Sequence, residues 1–411
     1  MTIRKERMKI QLSTVNILAV FIFCLSSFYF YEPFFFNDAI LKVFYWFMLA
    51  IIFAFSFKYF LYTSEPYVFA ASMRMLLLSM FISTLPALLF WGQSPVLTLR
   101  AMFPHLGFVL YFFLIATKPS FKSMVSLVWV LACLYVIVYL FSLTKAPDVI
   151  FGSFADRGIG DQRGLFRLFI PGRGFLFLSF FLAISNYVCT KRSIWLWISI
   201  GLFLIIVAHV IRQYIFFSFF IAGFVLIRKV SIWKKITFLL FGVVLSVYIY
   251  EYSSVIQALF SLTELQVSGG QQTEDIRVTA YSYFFTEFSP GLFSVIFGNG
   301  VPHEHSSYGY FYTQIVNDQM RLFMSDVGYA QIFAQFGLLG LVAVGVILFK
   351  SIFVKIPSKY LYLKLFLIFV FLSNVMSGYF LSNHNIAAIC IVLYMFEVSS
   401  QAQLISKKAT I

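Results

Sequence analysis

Charged side chains are scarce in this sequence. Asp, Glu, Lys and Arg make up 11% of its 411 residues, against about 25% in an ordinary soluble domain. A soluble globule could not cover itself with so few water-facing groups. A disordered chain needs low hydrophobicity and high charge. Both classes are excluded. Acid is scarcer still, with 16 Asp and Glu against 30 Lys and Arg and a formal net charge of +14. In a soluble protein that excess would point to nucleic acid; in an apolar chain it first reports orientation, and no nucleic-acid partner is expected. Only four cysteines occur, Cys24, Cys133, Cys189 and Cys390, all inside apolar runs and without metal-ligand spacing. They are expected to be buried apolar side chains, and no metal is expected. The sequence also lacks a phosphate-binding loop, a dinucleotide fingerprint and any internal repeat, so no nucleotide cofactor is expected.

What the sequence has is hydrophobicity. Apolar residues reach 61%, Phe alone counts 55, and the mean hydropathy is +0.91. The apolar runs are continuous, whereas a membrane barrel would alternate apolar and polar residues. A bilayer-crossing helix takes about 20 such residues. Spans are predicted at 12–31, 39–58, 66–91, 101–117, 123–143, 168–190, 194–210, 213–228, 235–252, 326–349, 361–380 and 384–400. Residues 194–228 read either as two short helices broken at Arg212-Gln213 or as one helix carrying an intramembrane Arg. The basic start, MTIRKERMK, leads into an apolar run with no small-residue cleavage site, so it reads as an uncleaved first helix. The expectation is an all-α polytopic membrane protein of about twelve transmembrane helices. Residues 1–411 would form a single integral domain with both termini cytoplasmic. Two larger periplasmic loops would span 144–167 and 253–325, with an interfacial amphipathic helix at 274–288.

The charges sort themselves on this layout. The inner loops hold 19 basic residues and three acids; the outer loops and spans hold 11 basic residues and 13 acids. Cationic inner loops are the usual rule. The inner cations are 15 Lys and 4 Arg, whereas the others are 2 Lys and 9 Arg. Orientation needs only a positive charge. Arg is favoured where a planar fork must grip phosphate or carboxylate, so the outer face reads as selected for anions.

Five stretches can carry chemistry. Residues 154–174, FADRGIGDQRGLFRLFIPGRG, place Arg157, Arg163, Arg167 and Arg173 among glycines that allow close backbone approach, which suits an anionic headgroup or lipid pyrophosphate. Alternatively these arginines pair with Asp156 and Asp161. His209, Arg212 and Gln213 lie between two apolar runs, and an Arg at membrane depth is a functional candidate by default. Arg277 sits in the amphipathic segment beside Glu274, Asp275 and Glu287, where a solvated, salt-bridged face is the plainer alternative. His303-Glu304-His305 offers two imidazoles as a base or as sugar contacts, with no further ligand for a metal. Asp326 opens the tenth span, either as a helix cap or as the carboxylate that takes a proton from an attacking hydroxyl. Arg74, Arg100, His105 and His384 read as packed or interfacial residues.

At these positions the chain resembles the bacterial O-antigen polymerase and O-antigen ligase superfamily. The ligase motif has a His and a polar residue, then nine residues, Gly, two residues and Gly. Here Asp326 and Val327 precede nine residues, Gly337, two residues and Gly340. Asp in place of His favours polymerase over ligase and leaves open which of Asp326, His303, His305 or Glu287 is the base. Arg212 matches the arginine that meets pyrophosphate at the outer end of a mid-chain helix, and Arg277 matches a second at the start of the large-loop helix. Arg163 and Gly174 match an Arg, ten residues, Gly pattern. The resemblance covers roughly residues 150–350. It implies a glycosyltransferase of the bacterial inner membrane that joins oligosaccharide repeats carried on undecaprenyl pyrophosphate into O-antigen, capsule or exopolysaccharide. The donor is already activated, so the implied glycosyl transfer is metal-independent. Membrane lipid, a chain-length regulator and a flippase are the implied partners. A glycan ligase is the near alternative, a cell-wall glycosyltransferase a further one, and a lipid-linked oligosaccharide flippase is the alternative from another class.

Overall fold

The computed structural model describes residues 2–63, 65–154, 168–227 and 276–408. The span expected at 235–252 and the candidates Arg157, Arg163 and Arg167 lie outside them. Within the described residues every predicted apolar run carries helix, though the helices are cut differently from the prediction. The order is α1 (Thr2–Ser27), α2 (Asp38–Leu61), α3 (Ala70–Ile82), α4 (Thr84–Trp91), α5 (Pro95–Met102), α6 (Leu110–Thr117), α7 (Phe121–Lys145), α8 (Arg173–Thr190), α9 (Ser193–Ala208), α10 (Arg212–Ile227), α11 (Ile276–Thr286), α12 (Leu292–Phe297), α13 (Gly328–Phe353), α14 (Leu361–Val375) and α15 (Asn383–Lys408). A short helical stretch, Ser307–Tyr310 running into Phe311–Gln319, lies between α12 and α13.

Six segments are long and apolar enough to cross a membrane: α2, α3 with α4, α7, α8, α13 and Ser358–Val375, which contains α14. The pair Pro95–Met102 and His105–Thr117, bent by 65°, would make a seventh. Twelve uniform spans is therefore a finer count than the described residues support. Helices α9 and α10 have 16 residues each. At about 1.5 Å per residue they fall short of a hydrocarbon layer of about 30 Å.

The differences have local causes. The run 101–117 bends at Pro104, which has no N–H to continue a helix. The run 168–190 becomes helix only at Arg173, because Leu168–Phe169 pairs antiparallel with Ser153–Phe154 in a short ladder. The run 194–228 breaks into two helices at His209, Val210 and Ile211, where Val210 takes φ +55°, so Arg212 begins a helix instead of sitting inside one. The run 361–380 stops being helical at Val375. Within 253–325, the described part from Ile276 on mixes helices with turns: α11 docks on α13, with Phe285 against Phe333, and its Tyr281 hydroxyl donates to the Val375 carbonyl of α14 at 2.7 Å.

Many of these helices are apolar all round, as membrane helices are. In α2, Leu41, Tyr45, Met48, Leu49 and Ile52 face the interior while Ile40, Val43, Phe47 and Phe55 face outward. Lipid is as apolar as these side chains, so polarity cannot decide which face turns inward; packing and satisfied polar groups decide it. The same reasoning corrects the cysteine expectation. Cys24 and Cys390 are buried, but Cys133 and Cys189 are exposed. An apolar side chain gains little from burial where the surroundings are themselves apolar.

One end of the bundle gathers the lysines. Lys118 pairs with Glu65 at 2.6 Å, and Lys350 donates to the Val68 carbonyl at 2.8 Å. Beside them the fully buried Glu397 of α15 accepts from the amides of Val68 and Phe69 and from the Tyr111 hydroxyl, each at 2.7 Å. The carboxylate satisfies the amides just ahead of α3 and complements the positive end of that helix's dipole.

Candidate functional site

The candidate residues lie at the opposite end, and a broken helix shapes it. Within α13, Gly337 adopts φ +69° and ψ −170°. A side chain there would collide with the Ile296 carbonyl. The break frees carbonyls of the preceding turn, and the segment Gly298-Asn299-Gly300 takes them up. The Asn299 amide donates to the Ala334 carbonyl and the Gly300 amide to the Gln335 carbonyl, both at 2.9 Å. Gly298, at φ +83°, packs its Cα against the Gln335 backbone. Non-helical backbone at membrane depth is tolerated where protein satisfies it, and this insertion does so. Gly340, the other motif glycine, lets α13 approach Ser79 of α3. The spacing that carried the family resemblance thus has a steric role in this fold.

Two buried amides fix the inserted segment. The Trp91 indole donates to the Asn299 side-chain oxygen at 2.9 Å. Gln93 donates to Thr98 and to the Val301 carbonyl, each at 2.8 Å, and its oxygen accepts from the His303 amide at 2.9 Å and the Ser306 hydroxyl at 2.6 Å. His303 is consequently buried, and its Nδ1 accepts from the His305 amide at 3.1 Å. Burial pushes the His303 imidazole below its ordinary range, and the charges of Arg100 and His305 add to this while Glu304 opposes it. The His305 ring is exposed, 3.5 Å from Glu304 and 5.4 Å between centroids from the His303 ring.

Asp326 and Arg277, candidates from different motifs, come together. Asp326 closes a short 3-10 turn, Met324–Asp326, just before α13, and Arg277 stands in the first turn of α11. Partial desolvation pushes the Asp326 carboxyl above the usual carboxylate range; the Arg277 guanidinium and a hydrogen bond from Ser325 pull the other way. Both residues are exposed at the surface. Asp326 is not the N-cap of α13, which is Val327, so the capping alternative does not hold. Among the described residues no hydrogen bond or ion pair joins His303 or His305 to Asp326. The carboxylate and the imidazoles are separate groups. Glu287, beyond the end of α11, is exposed.

Arg173 occupies a third position. It begins α8 after Gly172, part-buried, with its guanidinium 5.2 Å from the Tyr214 ring and 5.5 Å from the Phe169 ring. Its charge acts on Tyr135, His209, Tyr379 and His384. The His209 Nδ1 donates to the Ile205 carbonyl at 2.6 Å. A single proton there leaves Nε2 free to accept from the Tyr135 hydroxyl. Tyr139 stacks on the same imidazole at 4.2 Å between centroids. Arg212 stands exposed at the start of α10, two residues before Tyr214, so α10 carries both an outward arginine and a contact of the inward one.

Arg74 and His105 bind backbone carbonyls. Arg74 holds the end of α2 by donating to the carbonyls of Phe60 at 2.6 Å and Tyr59 at 3.2 Å. His105 donates from Nδ1 to the Leu381 carbonyl at 2.9 Å. Sequence reading missed Gln93, Asn299, Asn385 and the tyrosines 31, 135, 139, 214 and 379. A single amide in a turn gives no periodic signal, and Tyr counts as apolar in hydropathy. The spacing of Tyr135 and Tyr139, one helical turn apart in α7, was the available clue.

No protein-family model matches the chain, and no curated protein sequence matches it significantly.

Proposed function

We propose that the protein is a membrane-embedded glycosyltransferase that joins oligosaccharide repeats carried on undecaprenyl pyrophosphate into a surface polysaccharide, at the outer face of a bacterial inner membrane. The observation that carries this reading is that Asp326 lies within the electrostatic reach of Arg277. It places a carboxylate of raised proton affinity beside a guanidinium, at the end of the bundle where arginines replace lysines.

In the proposed reaction an acceptor sugar hydroxyl gives its proton to the Asp326 carboxylate, and its oxygen attacks the anomeric carbon of the donor. The bond from that carbon to the pyrophosphate oxygen breaks, and the electron pair leaves with the pyrophosphate. Arg277 and Arg212, both on the exposed surface, would meet the developing charge; forked guanidinium donors suit phosphate oxygens. Asp326 needs Arg277 nearby, yet far enough to remain a base. The balance of desolvation against the guanidinium supplies that.

The test is a glycan ladder gel from a deletion strain complemented with wild type, Arg212→Ala, Arg277→Ala or Asp326→Asn, with protein levels checked by blot. Wild type should restore the ladder, while each variant leaves a single repeat. A full ladder in the deletion strain overturns the reading. Finished chains left on the lipid carrier would assign a ligase instead.

A further inference from the structure

The polar groups around Arg173 carry more than a place in a helix. The Arg173 Nε is buried and has no hydrogen-bond partner, and the same holds for the hydroxyls of Tyr31, Tyr139 and Tyr379, for Nδ1 of His384 and for Oδ1 of Asn385. These atoms belong to one neighbourhood. Tyr379 and His384 feel the charge of Arg173. The Tyr31 ring lies 3.2 Å from the Cβ position of Gly172, and Asn385 Oδ1 lies 3.1 Å from that of Gly174, the residues on either side of Arg173. Tyr31, Tyr139, Tyr379 and Asn385 are all at least nine-tenths buried. Buried polar groups normally find partners, and a cluster left unpaired around one cation marks a place for a polar ligand.

The charge of that ligand follows from the residues. Among the described residues no carboxylate lies within ion-pair distance of Arg173. The groups around it are tyrosines, an amide and imidazoles, none of them an anion at neutral pH. The buried Nε of Arg173 calls for an acceptor, and one guanidinium is balanced by one negative charge. A pyrophosphate diester ionises twice and would leave this ring with an excess negative charge. It is better met by the exposed Arg212 and Arg277. A carboxylate matches Arg173 in both charge and fork geometry. The tyrosine faces beside it suit the apolar face of a sugar ring.

We propose that Arg173 and the neutral ring around it bind one singly charged oxyanion, the carboxylate of an acidic sugar in the glycan. The site itself follows from the geometry; its assignment to the glycan rests on the polymerase reading above. A phosphodiester lipid headgroup offers the same single charge, so the experiment separates the two sources.

The full chain in a nonionic detergent would be melted with sodium glucuronate, sodium chloride at matched ionic strength, sodium pyrophosphate, or micelles doped with phosphatidylglycerol. Glucuronate should raise the midpoint over chloride by a few degrees, as a ligand selective for the folded state does. Arg173→Gln should abolish that rise. Arg173→Lys and Tyr379→Phe should reduce it, which keeps the test open if the Gln variant folds poorly. Arg277→Gln should leave the rise intact, so loss of the polymerase reading and loss of this site are told apart. An equal rise in Arg173→Gln overturns the proposal, as does a response to pyrophosphate that exceeds the response to glucuronate. A response to phosphatidylglycerol alone, lost in Arg173→Gln, assigns the site to lipid and overturns the acidic sugar.

Discussion

Gln93 holds His303 by its backbone: the Gln93 side-chain oxygen accepts from the His303 amide at 2.9 Å, across a sequence separation of 210. With its three other bonds, to Thr98, Val301 and Ser306, this one fully buried side chain joins the turn between α4 and α5 to the segment inserted at the α13 break. Gln93→Leu keeps similar volume but leaves the His303 amide and the Val301 carbonyl unpaired. A buried unsatisfied group costs about 1–3 kcal/mol, so the melting midpoint should fall by several degrees. A midpoint unchanged from wild type would show that the segment is held by other contacts.

Gly337 and Gly345 provide a matched pair of substitutions on one helix. A Cβ at Gly337 meets the Ile296 carbonyl and demands a left-handed backbone, whereas a Cβ at Gly345 meets nothing within 4 Å. Gly337→Ala should lower expression of folded protein sharply, because both clash and backbone strain must be relieved. Gly345→Ala should be neutral or slightly stabilising, since Ala is favoured over Gly in a helix by about 1 kcal/mol. Size-exclusion profiles of the two variants in detergent would distinguish them, and equal behaviour would contradict the broken-helix geometry.

Glu397→Ala strips three donors of their acceptor at the lysine end. With the Val68 and Phe69 amides and the Tyr111 hydroxyl unpaired, the loss should be on the order of 3 kcal/mol. Tyr111→Phe removes only one of the three bonds and should cost about 1 kcal/mol. Thermal melts of both variants give the ordering, and a Tyr111→Phe effect as large as that of Glu397→Ala would mean the carboxylate is not the hub.

If Asp326 is the base, glycan extension should fail on the acid side at a higher pH than an ordinary Asp, near 3.9, would give. The carboxyl is raised by desolvation, so its ionised form is lost earlier as pH falls. Ser325 donates a hydrogen bond that lowers it. Ser325→Ala should therefore move the acid limb of the rate profile upward in pH. An acid limb that stays in place, or moves down, would remove Asp326 from the proton transfer.

The helices were legible because apolar runs of sufficient length have few alternatives in a bilayer. The extent of α2 and α7, the presence of α11 and the interruption near Arg212 could all be read from the residues. The bend at Pro104 and the β pair before Arg173 were not, because hydropathy averages over them. Gly337 was matched by its spacing, but nothing local to it announces a break. The reason for the break lies in Gly298-Asn299-Gly300, far away in sequence, whose amides take the freed carbonyls. The same limit applies to the site. Arg277 and Asp326 were found separately by charge and position, and the electrostatic influence of one on the other is tertiary. The ring around Arg173 went unseen because its members are mostly tyrosines, which score as hydrophobic while carrying a hydroxyl.

The interlock between the inserted segment and the α13 break has a further consequence for finding distant relatives of this chain. Neither half of it can exist alone. A glycine that opens a helix leaves carbonyls stranded unless a second strip of backbone arrives to receive them, and that strip must itself be slender enough to fit. The diagnostic pattern is therefore a pair: Gly-Asn-Gly followed, after the length of the intervening segment, by a glycine inside an apolar run. A search that requires the two together, while ignoring the identity of everything between, would pick out chains obeying the same steric rule even where overall similarity has faded.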